Sequence, residues 1–284
     1  MDHEQSPDIA TLLAWAQNRL ARTADQPALE ARLLLAEATG ESQTALFARP
    51  EARPDSNALK RFESLVKGRC EGTPVAYLLG RRDFRQLSLS VGPATLIPRP
   101  ETELLVDVAL EIAPARSARV IDLGTGSGAV ALALKEERTD WEVMASDSSP
   151  AALEIARENA TRLGLEVSFL AGDLFAPLAP GPQFDLVVSN PPYVPEADPH
   201  LSQGDVAREP RQALAAGKDG LAVLRRCIAA APGYLRKDGA LLLEHGHDQG
   251  PAVRSLLAEA GLRAPETRTD LAGHDRISLA YRSD

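Results

Sequence analysis

Residues 120–128 read Val-Ile-Asp-Leu-Gly-Thr-Gly-Ser-Gly, and they are the strongest indication of the fold in this chain. A short, mostly apolar strand runs into a glycine-rich turn, which we predict to open a helix over residues 129–135. Glycine lets a backbone approach a ligand closely, and the first N–H groups of a helix can bind an anionic group. A phosphate loop would continue with Gly-Lys-Ser or Gly-Lys-Thr, and a dinucleotide-binding loop would place its third glycine later. The stretch therefore predicts a nucleotide-type ligand loop of another kind.

A carboxylate just before the turn narrows the choice of ligand. Asp122 would repel phosphate groups, yet it could pair with the ammonium end of a methionine-like ligand. S-adenosylmethionine meets both demands; the alternative is a tight strand–helix turn that binds nothing. We accordingly predict that S-adenosylmethionine contacts these residues of the stretch: Asp122, Gly124, Thr125, Gly126, Ser127 and Gly128.

The next predicted strand, over residues 141–145, leads to an acidic side chain. Asp147 lies roughly 20 residues past the glycines, where a carboxylate can bind the ribose hydroxyls of a nucleotide-type ligand. Its alternative role is the N-cap of a helix over residues 150–162, although Ser148 or Ser149 could cap that helix equally well. We predict that Asp147 binds the ribose.

A third predicted strand, over residues 166–170, ends at Gly172-Asp-Leu174. Asp173 could accept a hydrogen bond from the adenine amino group, and Leu174 could cover the adenine face. Both residues are therefore predicted to bind the cofactor.

A fourth motif, Asn-Pro-Pro-Tyr at residues 190–193, follows the apolar run 184–189. The Asn190 side-chain carbonyl can accept a hydrogen bond from a substrate NH2 group, and the rigid Pro191 leaves its own carbonyl free to accept the second proton. With both N–H bonds held away from the reacting face, the nitrogen lone pair can be aimed at an electrophilic methyl group, while Tyr193 stacks on the planar substrate. A Pro-rich turn that merely ends a buried strand is the alternative. We predict Asn190, Pro191 and Tyr193 as catalytic residues that contact the substrate.

The order of the motifs predicts the fold class and the domains. Each motif follows a successive strand, and in open α/β sheets ligands bind at the carboxyl ends of the strands. Upstream, apolar spacing predicts helices over residues 9–20, 27–39 and about 57–67. Residues 87–91 alternate with period two, and a Gly-Pro turn followed by residues 94–97 predicts a hairpin. We therefore expect a helical domain over 1–85, a hairpin linker over 86–98 and an S-adenosylmethionine-dependent methyltransferase domain over 99–284.

The composition and charge of the chain limit its possible binding partners and its cellular location. The 284-residue chain has a net charge of -9 and a pI near 5.2, so direct nucleic-acid binding is not expected. No apolar run approaches a membrane span, and the acidic start at residues 1–5 leads into no signal-peptide core. Cys70 and Cys227 lie far apart, which is typical of reduced thiols in the cytosol. We expect a cytoplasmic monomer without membrane contacts.

Histidines near the end of the chain do not predict a metal site. His245 and His247 flank a glycine after a predicted strand, and His274 stands alone in a loop. Without further ligands at suitable spacing, a turn is the better interpretation. We predict no metal.

The motif set resembles the protein-(glutamine-N5) methyltransferases that modify peptide chain release factors. The resemblance also rests on Leu-Ile-Pro-Arg-Pro-Glu-Thr-Glu at 96–103 and Gly-Thr-Pro-Val-Ala-Tyr at 72–77, and it runs from about Gly72 to near the C-terminus. It implies a class I, Rossmann-like methyltransferase fold with a seven-stranded, mostly parallel sheet and a small N-terminal helical bundle that helps to grip the substrate. It further implies methylation, with S-adenosylmethionine, of the glutamine in the Gly-Gly-Gln loop of class I release factors in translation termination.

The resemblance also implies residue roles. Residues 124–128, Asp147, Leu174 and Asn190 would lie at the cofactor, and residues 190–193 at the glutamine. The position of Leu174 is often aromatic in that family, so adenine would meet an aliphatic side chain here.

Three other functions share these motifs. An adenine-N6 DNA methyltransferase also needs a planar amino group held by Asn-Pro-Pro-Tyr, but the acidic charge of this chain argues against a duplex substrate. A noncatalytic S-adenosylmethionine-binding protein is disfavoured by the intact Asn190 and Tyr193. A methyltransferase acting on a glutamine of a ribosomal or other protein would carry the same motif, because Asn-Pro-Pro-Tyr recognises the amide itself.

Overall fold

The structure is a computed structural model that describes residues 6–113 and 117–283. The chain divides into two units, one formed by Met1–Gly80 with Gln203–Arg208 and the other by Arg81–Ser202 with Glu209–Asp284. The acidic start at residues 1–5, for which we expected no signal peptide, lies outside the described residues. No helix among the described residues is long and apolar enough to cross a membrane.

Helices build the first unit, as their apolar spacing predicted. They are α1 (Ile9–Leu20), α2 (Pro27–Thr39), α3 (Gln43–Ala48), α4 (Ser56–Cys70) and α5 (Val75–Leu79). Asp8 caps α1 by accepting a hydrogen bond from the Thr11 backbone N–H at 2.8 Å, and Gly40 ends α2 with a φ of 72°. Leu20, Leu34 and Phe62 are fully buried in the core between these helices. The predictions of α1, α2 and α4 are confirmed, whereas α3 and α5 were not predicted.

A remote segment of the chain completes the first unit through a buried guanidinium. Arg69 of α4 is only 3% exposed. Its Nε donates to Glu30 Oε2 at 2.6 Å, and its Nη1 donates to Asp205 Oδ1 at 2.7 Å. Because Asp205 belongs to Gln203–Arg208, this pair of bonds ties that segment into the helical unit.

The predicted hairpin has a different partner strand. Strand β2 (Leu87–Ser90) pairs antiparallel with β1 (Arg81–Phe84), upstream of it, and residues 94–97 form no strand. Alternation identified β2 but could not choose its partner: the upstream strand is rich in charge, and the downstream segment is flanked by prolines that cannot donate to a strand ladder. The hairpin belongs to the second unit, whose core includes Phe84, Leu87 and Leu89.

A seven-stranded sheet forms the centre of the second unit. In spatial order its strands are β5 (Ser168–Ala171), β4 (Glu142–Asp147), β3 (Arg119–Leu123), β6 (Phe184–Ser189), β7 (Leu235–Glu244), β9 (Asp275–Arg282) and β8 (Leu262–Thr269). All neighbouring pairs from β5 to β7 are parallel, and β9 is antiparallel to both β7 and β8. The predicted α/β class with a mostly parallel sheet is confirmed.

Helices cover both faces of the sheet. They are α6 (Glu103–Ile112), α7 (Ala129–Glu137), α8 (Pro150–Leu163), α9 (Ala222–Ala230) and α10 (Gly250–Glu259). Successive residues of β3 alternate between the two faces, so Val120 joins one buried cluster and Ile121 the other. The chain changes its direction of travel through the sheet between β3 and β6, and at such a switch point the carboxyl ends of the strands leave a crevice for a ligand.

Candidate active site

A cleft of about 340 Å³ opens at the carboxyl ends of β3, β4 and β6. A smaller cavity of about 50 Å³ shares part of its lining, including Gly124, Gly126 and Asn190. The larger cleft is also lined by Asp147, Pro192 and the Asp173–Leu174 pair, whereas the smaller cavity is lined by Asp122, Thr125 and Ser127. The structure thus gathers most of the predicted residues, although Gly128, Pro191 and Tyr193 line neither of these two cavities.

The glycine loop is fixed to the end of β4 by hydrogen bonds. Asp147 Oδ2 accepts from the Gly126 N–H at 2.9 Å, and Asp147 Oδ1 accepts from the Ser149 N–H at 2.8 Å. The Ser149 hydroxyl caps α8 by accepting from the Ala152 N–H at 3.2 Å, so the cap role considered for Asp147 belongs to Ser149. Asp147 therefore shapes the loop while its carboxylate lines the cleft.

Glycine is required at Gly128 for packing and backbone geometry. Its φ is 88°, and a Cβ there would lie 2.9 Å from Leu132 Cδ1. Its N–H donates to the Thr125 carbonyl at 2.9 Å and closes the turn before α7. Gly128 thus supports the shape of the loop from behind.

A buried carboxyl lies in the smaller cavity. Asp122 is 2% exposed, and its Oδ2 accepts a hydrogen bond from Thr125 Oγ1 at 2.6 Å. Burial raises the pKa of Asp122 to about 7, and the nearby Asp147 charge adds to the increase. Arg99 lines the same cavity, and its guanidinium forms an ion pair with the buried carboxylate of Glu209. This cavity therefore presents one acidic and one basic group.

The backbone at the end of β5 is held in an unusual conformation. Leu174 has a φ of 52°, a region that non-glycine residues rarely adopt. Its carbonyl accepts a hydrogen bond from the Ser146 hydroxyl at 2.9 Å, which connects this turn to β4. Asp173 forms an ion pair with Arg226 of α9, and both side chains line the cleft. Arg226 was not anticipated from the sequence.

The Asn190 amide has a fixed orientation. Its Nδ2 donates to Thr102 Oγ1 at 3.0 Å, and the Thr102 hydroxyl lies beside the Glu244 carboxyl. Among residues 6–113 and 117–283, no donor hydrogen-bonds to Asn190 Oδ1 or to the carbonyl of the buried Pro191. Two carbonyl acceptors of neighbouring residues thus remain for a ligand.

Tyr193 is anchored on both sides. Its hydroxyl donates to Glu244 Oε1 at 3.4 Å, and its carbonyl accepts from Gln249 Nε2 at 3.0 Å. Its ring packs, partly buried, against the cluster on one face of the sheet, and burial raises the pKa of the phenol. Stacking of this ring on a substrate stays a prediction.

Thr102 and Glu244 were also missed by the sequence analysis. Thr102 ends a 3-10 helix at Pro100–Thr102 and makes no side-chain cap bond to α6. Glu244 is an acidic residue that closes a buried apolar strand at the same sheet edge as the other motifs. Its position at a strand end was the signal that could have identified it.

His245 has structural partners. His245 is buried, with Nε2 at 2.8 Å from Ser278 Oγ and Nδ1 at 2.8 Å from the Gly246 carbonyl. Within the described part of the chain, no group of three or more His, Cys, Asp or Glu side chains could hold a metal ion.

Comparisons with known proteins follow the same division of the chain. A family model described as the PrmC N-terminal domain matches residues 11–80, and the methyltransferase small domain matches residues 100–209. A release factor glutamine methyltransferase of Vibrio cholerae is 46% identical, over 98% of this chain and 99% of that protein. The protein of the same name from Pseudomonas aeruginosa is 48% identical, over 88% of this chain and 91% of that protein.

Solved structures share the fold at low sequence identity. The 16S rRNA N2 G1207 methyltransferase of T. thermophilus, solved with AdoMet and guanosine, has a TM-score of 0.54 at 21% identity and covers 71% of this chain and 49% of that chain. The human Mettl16 catalytic domain, solved with an RNA hairpin, has a TM-score of 0.56 at 17% identity and covers 73% and 79% of the two chains. These likenesses confirm the predicted methyltransferase fold. The near full-length relatives go further, and the chain belongs to the family of release factor glutamine methyltransferases.

Proposed function

We propose that this enzyme transfers a methyl group from S-adenosylmethionine to the side-chain amide nitrogen of the glutamine in the Gly-Gly-Gln motif of class I release factors. The observation that carries the proposal is the orientation of Asn190. Its NH2 group is engaged by Thr102 at 3.0 Å, which leaves Oδ1 as one acceptor for a substrate NH2 group, and the Pro191 carbonyl is the proposed second acceptor.

These two acceptors fit a primary amide. A glutamine side chain offers two N–H donors in one plane, and each can be accepted by one of the two carbonyls. Held in this way, the nitrogen presents one face to the methyl donor. Solvent around the nitrogen does not have to rearrange during the reaction. As the amide nitrogen bonds to the methyl carbon, the bond from that carbon to the sulfonium sulfur would break, with its electron pair going to sulfur and S-adenosylhomocysteine leaving. The methylated nitrogen would then release one proton to water, so the chain needs no strong base.

The residues of the two cavities fit S-adenosylmethionine. Within the described part of the chain, no atom outside the adjacent residues lies within 4 Å of the place that a Cβ would occupy on Gly124 or Gly126, so the loop faces open space. Asp122 and Arg99 in the smaller cavity suit the α-ammonium and α-carboxylate of a methionine group. When bound, the donor supplies a methyl group made electrophilic by its sulfonium.

The larger cleft suits the nucleoside part. Asp147 retains lone pairs for ribose hydroxyls after accepting its two backbone N–H bonds, because each carboxylate oxygen can accept more than once. Leu174 and Asp173 line the part of the cleft proposed for adenine. Because Arg226 already neutralises Asp173, an adenine amino group would share that carboxylate with the guanidinium.

The choice of substrate rests on the family and on charge. The full-length relatives carry the name release factor glutamine methyltransferase, which supports a release factor as the protein partner. A net charge of -9 disfavours a DNA duplex as the substrate. All residues of the two cavities come from the second unit of one chain, which supports a monomeric enzyme, and we place its action with release factors in the cytoplasm.

A substrate comparison tests the proposal. The enzyme is incubated with S-adenosylmethionine carrying a labelled methyl group and, in parallel, with a folded class I release factor, the same factor with its Gly-Gly-Gln glutamine changed to alanine, and a DNA duplex. We expect label only in the unchanged release factor. Equal label in the altered factor would refute the assigned residue, and label in the duplex would favour the adenine-N6 alternative.

A further inference from the structure

A buried carboxyl at the edge of the site is not used by the proposed chemistry. Glu244 ends β7 and is 1% exposed. Among the residues that the structure describes, its Oε2 has no hydrogen-bond partner. Burial raises the pKa of Glu244 to about 7. A buried ionisable group is costly to retain, and such groups often concentrate at functional sites.

Thr102 lies between this carboxyl and the amide that would hold the substrate. Its hydroxyl lies close enough to Glu244 to favour the ionised carboxylate, and its Oγ1 accepts from Asn190 Nδ2 at 3.0 Å. A hydroxyl has one proton to donate. An ionised Glu244 can only accept, so it takes that proton and leaves Thr102 Oγ1 as an acceptor toward Asn190.

The direction of the Thr102 proton determines which way the amide faces. If Thr102 donated toward Asn190 instead, the favoured partner would be Oδ1, and the amide would turn its NH2 group to the substrate. Two NH2 groups facing each other cannot hydrogen-bond, because both are donors. The state of Glu244 therefore determines whether Asn190 can hold a glutamine amide.

We propose that Glu244 is a positioning residue which, through the Thr102 hydroxyl, fixes the Asn190 amide with Oδ1 toward the substrate nitrogen. This inference rests on the proposed function, because it concerns how the glutamine amide is held. Glu244 acts through another residue and touches no reacting atom. Its loss should therefore lower kcat at saturating S-adenosylmethionine and leave cofactor affinity close to that of the wild type.

The charges around Glu244 define the expected pH dependence. Arg276 of β9 favours its ionised form, Glu101 disfavours it, and the Tyr193 hydroxyl donates to it. Arg276 stays cationic because its pKa is raised, and burial lowers the pKa of the adjacent His245. Protonation of Glu244 allows it to donate to Thr102, which reverses the chain of bonds. We expect kcat to fall as the pH is lowered through about 7.

A double-mutant cycle at Thr102 and Glu244 tests the inference in the full-length enzyme with a folded release factor. Thr102→Val should lower kcat on the order of 100-fold, because it frees the amide to turn. Glu244→Gln should lower kcat about tenfold or more and remove the acidic limb of its pH profile, because glutamine can both donate and accept. The double variant should match Thr102→Val alone, since the two residues act in series. Thr102→Ser keeps the hydroxyl and should restore most of kcat.

Two controls separate this role from simple stabilisation. Tyr193→Phe removes the other hydrogen bond to Glu244 and should keep the acidic limb of kcat. Calorimetric titration with S-adenosylmethionine and urea unfolding should give values near those of the wild type for Thr102→Val and Glu244→Gln. If Glu244→Gln does not fold, the comparison of Thr102→Val with Thr102→Ser still tests the hydroxyl.

The outcomes distinguish the two claims. If the wild type methylates glutamine but Glu244→Gln keeps its kcat and acidic limb, the positioning role is wrong and the proposed function stands. Multiplicative losses in the double variant, or equal losses in Thr102→Val and Thr102→Ser, would also overturn it. If the wild type methylates no glutamine, the proposed function fails first.

Discussion

Replacing Asp147 with alanine should weaken S-adenosylmethionine binding far more than it slows methyl transfer. The carboxylate accepts the Gly126 N–H at 2.9 Å and the Ser149 N–H at 2.8 Å, and it lines the larger cleft. The substitution removes the proposed acceptor of the ribose hydroxyls and releases the glycine loop that shapes the cavity. Both effects act on cofactor binding, while the acceptors at Asn190 and Pro191 stay in place.

The size of the effect follows from the bonds that are lost. A hydrogen bond to a charged group contributes about 1.5–3 kcal/mol, so the loss of one ribose bond corresponds to a Kd raised about 10- to 150-fold. Water in the open cleft can solvate the two freed backbone N–H groups. Freeing them lowers cofactor affinity further mainly because the glycine loop becomes more mobile. Turnover at saturating cofactor should stay within a small factor of the wild-type value.

Isothermal titration gives Kd, and initial rates at saturating S-adenosylmethionine give kcat. Asp140→Ala is a matched control, because it removes a carboxylate from an exposed ion pair with Arg138 at 3.0 Å and should change neither quantity. In contrast, Asn190→Ala should lower kcat about 100- to 1000-fold and change Kd much less. The reverse pattern, with Kd kept by Asp147→Ala and lost by Asn190→Ala, would refute both assignments.

Three further predictions concern single residues. Tyr193→Phe should keep most activity, since the hydroxyl makes only a 3.4 Å hydrogen bond, whereas Tyr193→Ala should lose it. An equal loss of kcat in both variants would mean that the hydroxyl, and not the ring, supports activity. Arg69→Ala should lower the free energy of unfolding of the helical unit, measured in urea, by about 3 kcal/mol, because Glu30 and Asp205 lose the guanidinium that they share. A loss below about 1 kcal/mol would mean that these ion pairs behave like surface ion pairs. S-adenosylmethionine should bind the wild type more weakly as the pH falls through about 7, because protonated Asp122 cannot pair with an ammonium. The Asp122→Asn variant should bind the cofactor weakly at every pH. A wild-type Kd that is independent of pH would contradict this pairing.

The parts of the fold that local pattern determines were predictable from the sequence. The glycine turn at 124–128 follows an apolar strand, and caps such as Asp8 and Gly40 mark the helix ends within a few residues of them. Because parallel strands bring their carboxyl ends to one edge, the order of the motifs also predicted that Asp147 and Asn190 would line one cleft.

The parts that depend on distant residues were not predictable in the same way. Alternation in β2 identified a strand without identifying its partner, which proved to be the charged strand before it. The bond between Thr102 and Asn190 joins residues 88 positions apart, and the pair of Asp173 with Arg226 spans 53. No spacing rule connects such positions, because the packing of separate elements brings them together.

The position of the transferred methyl group on the substrate identifies the reaction of this enzyme. A folded class I release factor is incubated with the enzyme and S-adenosylmethionine, and the digested factor is analysed by tandem mass spectrometry, with a DNA duplex treated in parallel. We expect a single added methyl on the side-chain nitrogen of the Gly-Gly-Gln glutamine. An unmodified glutamine together with methylated adenine in the duplex, or a methyl on another residue of the factor, would contradict it.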